Sequence, residues 1–282
     1  MHYHHAFGLK IASDLCLPEL PQCQDLTTVD VQIQSGVITD PVPPSPQCLF
    51  LHIDHVAKLL IQNGNQITYT PAPGVDEASL RVFILGSCMG ALLQQRGLIV
   101  LHGNALSFNQ KDCHIFVGHS GAGKSTHAAY SIQNGAFILA DDLCAIFFDD
   151  QNQPWVLPSY PYLKLWQSSA DLLQIQTHHL QPIRPHLAKY HLPLQSQFMT
   201  TPLRVQAIHE IDPRYTQTST IIGTATLQLL MTHSYRPQFL HDMGRYGPHL
   251  QKLCKLADCV AIHQQPRAVI ASAAQSPQPI LD

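Results

Sequence analysis

The stretch Gly118-His119-Ser120-Gly121-Ala122-Gly123-Lys124-Ser125-Thr126 has the spacing G-x-x-x-x-G-K-[ST] and follows directly on the apolar run Cys113-His114-Ile115-Phe116-Val117. Residues of these types at this spacing bind phosphate. A strand delivers the chain, the glycines let backbone N–H groups close around phosphate oxygens, and the helix that follows turns its positive end to the anion. Gly118, Ser120, Gly121, Ala122, Gly123 and Thr126 would form the cradle. Lys124 would reach the outer phosphates, and the Ser125 hydroxyl would ligate Mg²⁺.

Moving a γ-phosphoryl group also needs a carboxylate that orients or deprotonates the acceptor hydroxyl. The strand-like run Ala136-Phe137-Ile138-Leu139-Ala140 finishes on Asp141-Asp142, 17 positions after Lys124 (141 − 124), so one helical crossing connects loop and acids. Two adjacent aspartates can divide metal binding and base chemistry; the plainer reading makes one a ligand and leaves the other to cap a turn. His102, in Val100-Leu101-His102-Gly103-Asn104-Ala105, closes a strand two steps before the one that feeds the loop. With Gly103 letting the chain turn, His102 falls beside the loop, although one of 18 histidines read alone is a satisfied structural group. The Asn-Lys-x-Asp element by which GTPases recognise their base does not occur in the sequence, and ATP is the expected nucleotide.

The elements that must position these residues begin with a β-rich stretch over 1–75, whose clearest feature is a hairpin of 57–62 and 66–70 around Asn63-Gly64. Pro41, Pro43, Pro44 and Pro46 read as a spacer, and nothing in this region carries chemistry. Substrate recognition, self-association into a homo-oligomer and a plain structural flank are all open to it. A helix follows over 76–95, capped by Asp76, apolar almost all round and stopped by Gly97; its uncharged run 82–93 is too short for a bilayer. Strands at 98–101, 105–108 and 113–117 make an antiparallel meander into the loop, where proteins with such loops usually alternate strand and helix. A helix over 124–133 ends at Asn134-Gly135, and a strand over 143–148 turns back into 155–157. The segment 158–166 ends in Lys164 and Trp166, with Ser168 or Ser169 capping a short helix to 173. Residues 176–200, with His178, His179, His186, Lys189 and His191, read as a lid or a surface loop. A strand at 205–211, helices at 224–232 and 239–256, a strand at 259–263 and a fraying Pro/Gln/Ala tail complete the chain. The fold class is α/β: a mixed β-sheet domain bearing the loop over 76–282, preceded by the β-rich region 1–75.

Composition narrows the function classes. At 45% hydrophobic residues over 282 positions the chain can bury a real core. A formal charge of −3 and no Lys/Arg run argue against nucleic-acid and membrane-surface partners. The eight cysteines show no C-x-x-C pair or zinc spacing and read as reduced, with Cys88, Cys113 and Cys144 in apolar patterns. No signal peptide is read at the N-terminus, and the cytoplasm is the expected compartment.

Taken together, Leu101-His102-Gly103, the loop 118–125 and Leu139-Ala140-Asp141-Asp142 resemble the catalytic domain of bacterial HPr kinase/phosphorylase. The resemblance looks closest to HPr-kinase-related proteins often encoded beside peptide-modification genes, including kinases of lasso-peptide precursors, and it covers roughly residues 98–148. It implies a mixed-sheet P-loop kinase fold akin to phosphoenolpyruvate carboxykinase. It also implies Asp141 as base toward a serine hydroxyl, Asp142 and Ser125 near Mg²⁺, and His102 assisting proton movement. The chain departs from that family in carrying Thr126 where a glutamate is usual, in lacking its glycine-rich C-terminal segment, and in its N-terminal region. The expectation is therefore an ATP-dependent kinase acting on a serine of a peptide or small protein, without HPr as substrate and without phosphorylase activity. A small-molecule hydroxyl kinase and a non-catalytic nucleotide-binding module are the alternatives.

Overall fold

The structure, a computed structural model, describes residues 1–24, 27–39 and 42–267; Pro41 and the tail beyond 267 lie outside these. Six strands form the first sheet: β1 (His2–Ala6), β2 (Leu9–Ser13), β3 (Val31–Ser35), β4 (Cys48–Ile53), β5 (Ala57–Gln62) and β6 (Gln66–Pro71), in the order β1-β2-β3-β6-β5-β4. β5 and β6 pair antiparallel as the sequence leads one to expect. Asn63 and Gly64 both take positive φ, 55° and 64°, which is the twist that suits a two-residue hairpin turn. Alternation along β5, with Ala57, Leu59 and Ile61 inward, gives the sheet one apolar face.

That face is covered by a helical segment, α1 (Glu77–Phe83), a π-helical turn (Ile84–Cys88) and α2 (Met89–Gln95). Asp76 starts it by accepting a hydrogen bond from the Ser79 N–H at 2.7 Å. Gln95 at its end accepts from the Gly64 N–H at 2.9 Å and donates to the Ile61 carbonyl at 3.1 Å, tying the helix to the hairpin. The opposite side of the segment packs on the second sheet, so one core holds Leu59, Ile61, Leu92 and Leu93 together with Val100, Leu143 and Tyr235.

The second sheet contains β7 (Ile99–Ser107), β8 (Asp112–Val117), β9 (Phe137–Phe148), β10 (Pro154–Val156), β13 (Leu203–Asp212), β14 (Ser219–Thr220) and β15 (Ala261–Pro266). Its order is β10-β9-β7-β8-β13-β15-β14, and β10 also pairs with β13. The sheet is mixed: β8, β13 and β15 run parallel, whereas β7 is antiparallel to both β8 and β9. A small third sheet pairs β11 (Tyr162–Trp166) with β12 (Lys189–Pro193). The helices are α3 (Lys124–Gln133), α4 (Gln167–Leu172), α5 (Thr224–Thr232), α6 (Pro237–Asp242) and α7 (Tyr246–Cys259). Among the described residues no helix is long and apolar enough to cross a membrane.

Four local expectations change. The strands read at 98–101 and 105–108 are one strand, β7, and those read on either side of Asp141-Asp142 are one twelve-residue strand, β9. His102, Gly103 and the aspartates look like breaks in sequence, yet each strand supplies the other with ladder partners across them. The helix read over 239–256 is broken at Gly244, φ 65°, into α6 and α7. Residues 189–193 form a strand rather than loop.

Histidines fill part of the interior. His209 stacks on Phe116 with ring centroids 4.9 Å apart and on His263 at 5.1 Å, and Phe116 also meets His127 at 4.4 Å. Burial, with His114 and His263 adding to it, pushes His209 down to about 3; burial alone pushes His127 to about 4, and it does most of the same for His249. Because their folded pKa values lie below the unfolded value near 6.5, these groups contribute stability above that pH. The contribution is lost as pH falls from about 6.5 toward 4, at about 1.4 kcal/mol per pH unit for each. Urea midpoints should therefore drop steeply between pH 7 and pH 5, and His209→Phe should flatten the slope. An unchanged slope would place the acid sensitivity elsewhere.

Candidate active site

β8 ends at Val117 and releases the loop 118–123 into α3. Gly121 and Gly123 adopt φ of 83° and 103°, a left-handed conformation that L side chains rarely take. Gly123 sits at the start of α3, whose first turn has no side-chain cap, so its N–H groups are open to an anion. Lys124 Nζ donates to the carbonyls of Gly118 at 2.7 Å and His119 at 3.3 Å. Burial depresses its pKa, opposed by the negative charges of Asp142 and Asp141.

Across from the loop lie β7 and β9. Their register sets Asn104 opposite Asp141 and Gly103 opposite Asp142. Gly103 is a mid-strand residue rather than a turn; a Cβ there would lie 2.4 Å from the Phe116 carbonyl oxygen, so only glycine lets β8 approach. Asp142 has φ 72°, which turns its side chain out of the regular strand alternation. Asp141 is 5% exposed, accepts from Asn104 Nδ2 at 2.5 Å and from the Lys164 backbone N–H at 2.7 Å. Asp142 is bonded on both oxygens: Oδ1 lies 3.0 Å from His102 Nδ1, and Oδ2 accepts from Lys164 Nζ at 2.8 Å.

The two carboxylates are driven apart electrostatically. Burial and the neighbouring charge of Asp142 raise the pKa of Asp141, with Lys164 in partial opposition. For Asp142 burial also acts upward, but the Lys164 ammonium and His102 outweigh it and hold the carboxyl well below the usual range. Lys164 is 8% exposed, and although burial disfavours its charge, Asp142 keeps it well above the ordinary lysine value.

One cleft of about 290 Å³ gathers these groups. His102, Ser120, Gly121, Gly123, Lys124, Ser125, Thr126, Asp141 and Asp142 all line it. Gly118 faces an adjoining cleft, and Ala122 is buried beneath the loop. Five lining residues had no assigned role in sequence: Asn104, Lys164, Trp166, Lys189 and Arg267. Lys189 sits 5.4 Å over the Trp166 ring, and a side chain on Gly123 would meet Arg267. Ser169 bonds the Thr126 hydroxyl at 2.8 Å instead of capping α4, which joins α4 to the loop helix. A lone lysine between Leu163 and Leu165 is the signal that could have found Lys164, since a buried ammonium requires a counter-charge.

Among the described residues no three His, Cys, Asp or Glu side chains converge on a closed metal site. A magnesium ion that arrives with nucleotide phosphates needs only one or two protein oxygens. The donor set of Ser125 Oγ and the ionised Asp142 fits that need, and Asn104 Oδ1, buried with no hydrogen-bond partner, leaves a spare acceptor beside Asp141.

No protein-family model matches the chain, and a search of curated proteins finds no match. Among solved structures it is similar to the Hpr(Ser) kinase/phosphatase from Coxiella burnetii. That likeness has a TM-score of 0.28 and 15% identity, and covers 44% of this chain and 72% of the other.

Two outcomes test the site as built. Lys164→Met leaves Asp142 with His102 alone and should cost about 3 kcal/mol of folding stability in urea titrations, the low end for a broken buried pair. Mg-ATP should raise the melting temperature of the wild type and leave that of Lys124→Ala unchanged; an equal rise in the variant would put the nucleotide elsewhere.

Proposed function

We propose that the chain is an ATP-dependent phosphotransferase that moves the γ-phosphoryl group of Mg-ATP to a serine hydroxyl of a peptide or small protein. The reading is supported above all by the placement of Lys124 and Ser125 in one cleft with two aspartates of opposite pKa shift. Pairs of carboxylates whose environments separate their pKa values divide acid–base and electrostatic roles.

In this mechanism the loop N–H groups and the first turn of α3 bind the phosphates, and Lys124 exchanges the Gly118 and His119 carbonyls for the outer phosphates. Asp142, held ionised by Lys164 and His102, would with Ser125 hold a magnesium ion, which would supply charge neutralisation at the phosphates. Asp141, the stronger base of the two, accepts the proton as the serine oxygen attacks: the Oγ–P bond forms, the bond from phosphorus to the β-phosphate oxygen breaks, and ADP leaves. Asn104 and the Lys164 N–H hold Asp141 for that transfer. His102 keeps Asp142 oriented.

One observation favours a second assignment of the proton. Asp142 is 23% exposed and lines both this cleft and the adjoining one, whereas Asp141 is more deeply buried. Paired variants decide between the two. Asp141→Asn should leave Mg-ATP affinity near the wild-type value and slow transfer by about 10²–10⁴-fold, the usual worth of a general base. Asp142→Asn should weaken nucleotide binding in the presence of Mg²⁺ more than in its absence. Wild-type transfer by Asp141→Asn would move the base to Asp142.

A further inference from the structure

A second cleft of about 400 Å³ lies against the first, and His102, Asp142 and Lys164 line both. The loop's phosphate-facing residues Gly121, Gly123, Lys124 and Ser125 belong only to the first cleft, while Arg236, Tyr235 and His233 belong only to the second. The second cleft is also lined by Gly118, His119 and Ser120 at the start of the loop, and of the two aspartates it meets Asp142; a hydroxyl acceptor entering through it would reach Asp142 opposite Lys124 and Ser125.

Arg236 is its distinctive group. The residue takes φ 43°, a left-handed conformation that is costly for a residue with a side chain. Its guanidinium is held 5.7 Å from the Tyr235 ring centroid and 5.6 Å from that of Phe239, stacked on both. Gly86 and Gly90 leave room for Tyr235; a Cβ on Gly90 would lie 2.5 Å from its ring. Tyr235 in turn has its ring centroid 6.0 Å from that of His102, so Arg236 stands one ring away from the histidine that holds Asp142. Among the described residues no carboxylate pairs with Arg236, whereas Lys164, the other cation of the cleft, is paired to Asp142. The cleft thus offers a solvent-exposed cation, held by two rings and without a carboxylate partner among the described residues, in the same space that Asp142 lines.

We infer that Arg236 reads a carboxylate on the acceptor, so that the phosphorylated serine is one with an acidic side chain or a free C-terminal carboxylate beside it. The inference rests on the serine-kinase reading of the site and adds the class of peptide that it takes. A guanidinium fork binding a carboxylate supplies orientation as well as attraction, which places the hydroxyl and leaves the Asp142 pairings intact.

The test measures binding and transfer separately. Three fluorescein-labelled peptides serve as probes: Gly-Ala-Ser-Glu-Ala amide, its Gly-Ala-Ser-Gln-Ala counterpart, and Gly-Ala-Ser ending in a free carboxylate. Each is titrated by anisotropy with wild type, Arg236→Gln and Arg236→Lys. At least one of the two carboxylate peptides should bind wild type roughly tenfold or more tightly than the Gln peptide, the usual worth of a charge-assisted bond. Arg236→Gln should erase that preference, Arg236→Lys should keep part of it, and Mg-ATP affinity should stay the same in all three proteins. Which of the two carboxylate peptides binds more tightly identifies the side chain or the chain end as the source. No preference in wild type, no binding of any probe, a preference that survives in Arg236→Gln, or a loss of Mg-ATP affinity in that variant would each overturn the inference. Arg236-dependent binding without phosphate on the serine would uphold it and remove the kinase reading. Equal phosphorylation of all three peptides would do the reverse.

Discussion

The pairing of Lys164 with Asp142 is the interaction on which the site depends. A carboxylate or ammonium withdrawn from water alone carries a penalty of several kcal/mol even after relaxation, so neither side chain could occupy this position without the other. Asp142 further adopts φ 72° in the middle of a strand, a conformation worth about 1–3 kcal/mol of strain that only surrounding contacts can hold. Lys164 and His102 supply those contacts, one to each oxygen. The same ion pair joins the small third sheet to the second, because β11 carries Lys164 and β9 carries Asp142. Through its backbone N–H, Lys164 also fixes Asp141. One buried charge pair therefore shapes both aspartates.

Support for that pair extends to the first sheet, some distance in sequence from any chemistry. Its apolar face packs on α1 and α2, whose far side meets Val100, Leu143, Ala145 and Tyr235 around the aspartate strand. Gln94 donates to the Tyr235 carbonyl at 2.6 Å, and Arg81 from the same helical segment reaches Glu19 at 2.9 Å. The β-rich region is in this respect a brace for the strands that carry His102 and Asp142, whatever further surface it offers.

Features that depend on neighbouring residues in the chain were legible in the sequence. The loop, its helix, the Asp76 cap and the Asn63-Gly64 turn each follow from local backbone chemistry, and each has the expected boundaries or nearly so. What escaped depends on distant partners. β7 and β9 read as broken because polar residues and glycine interrupt their apolar runs, yet the ladder between them continues through those residues. Lys189 and Arg267 reach the cleft from segments with no motif around them. Arg236 is exposed and has no motif around it, and its contacts with the Tyr235 and Phe239 rings come only with the fold. The aspartate pair stands out in the sequence, but its asymmetry does not, since that comes from a lysine 22 residues away.

The account stands on phosphoryl transfer at the aspartate pair, and the direct measurement is to follow the terminal phosphate of ATP. Wild-type protein would be incubated with γ-labelled ATP, Mg²⁺ and a serine-containing peptide, and the products separated by mass. The account predicts label on the serine oxygen of the peptide, dependent on Mg²⁺ and lost with Lys124→Ala. Tight nucleotide binding with the label remaining on ATP, or passing only to water, would contradict it.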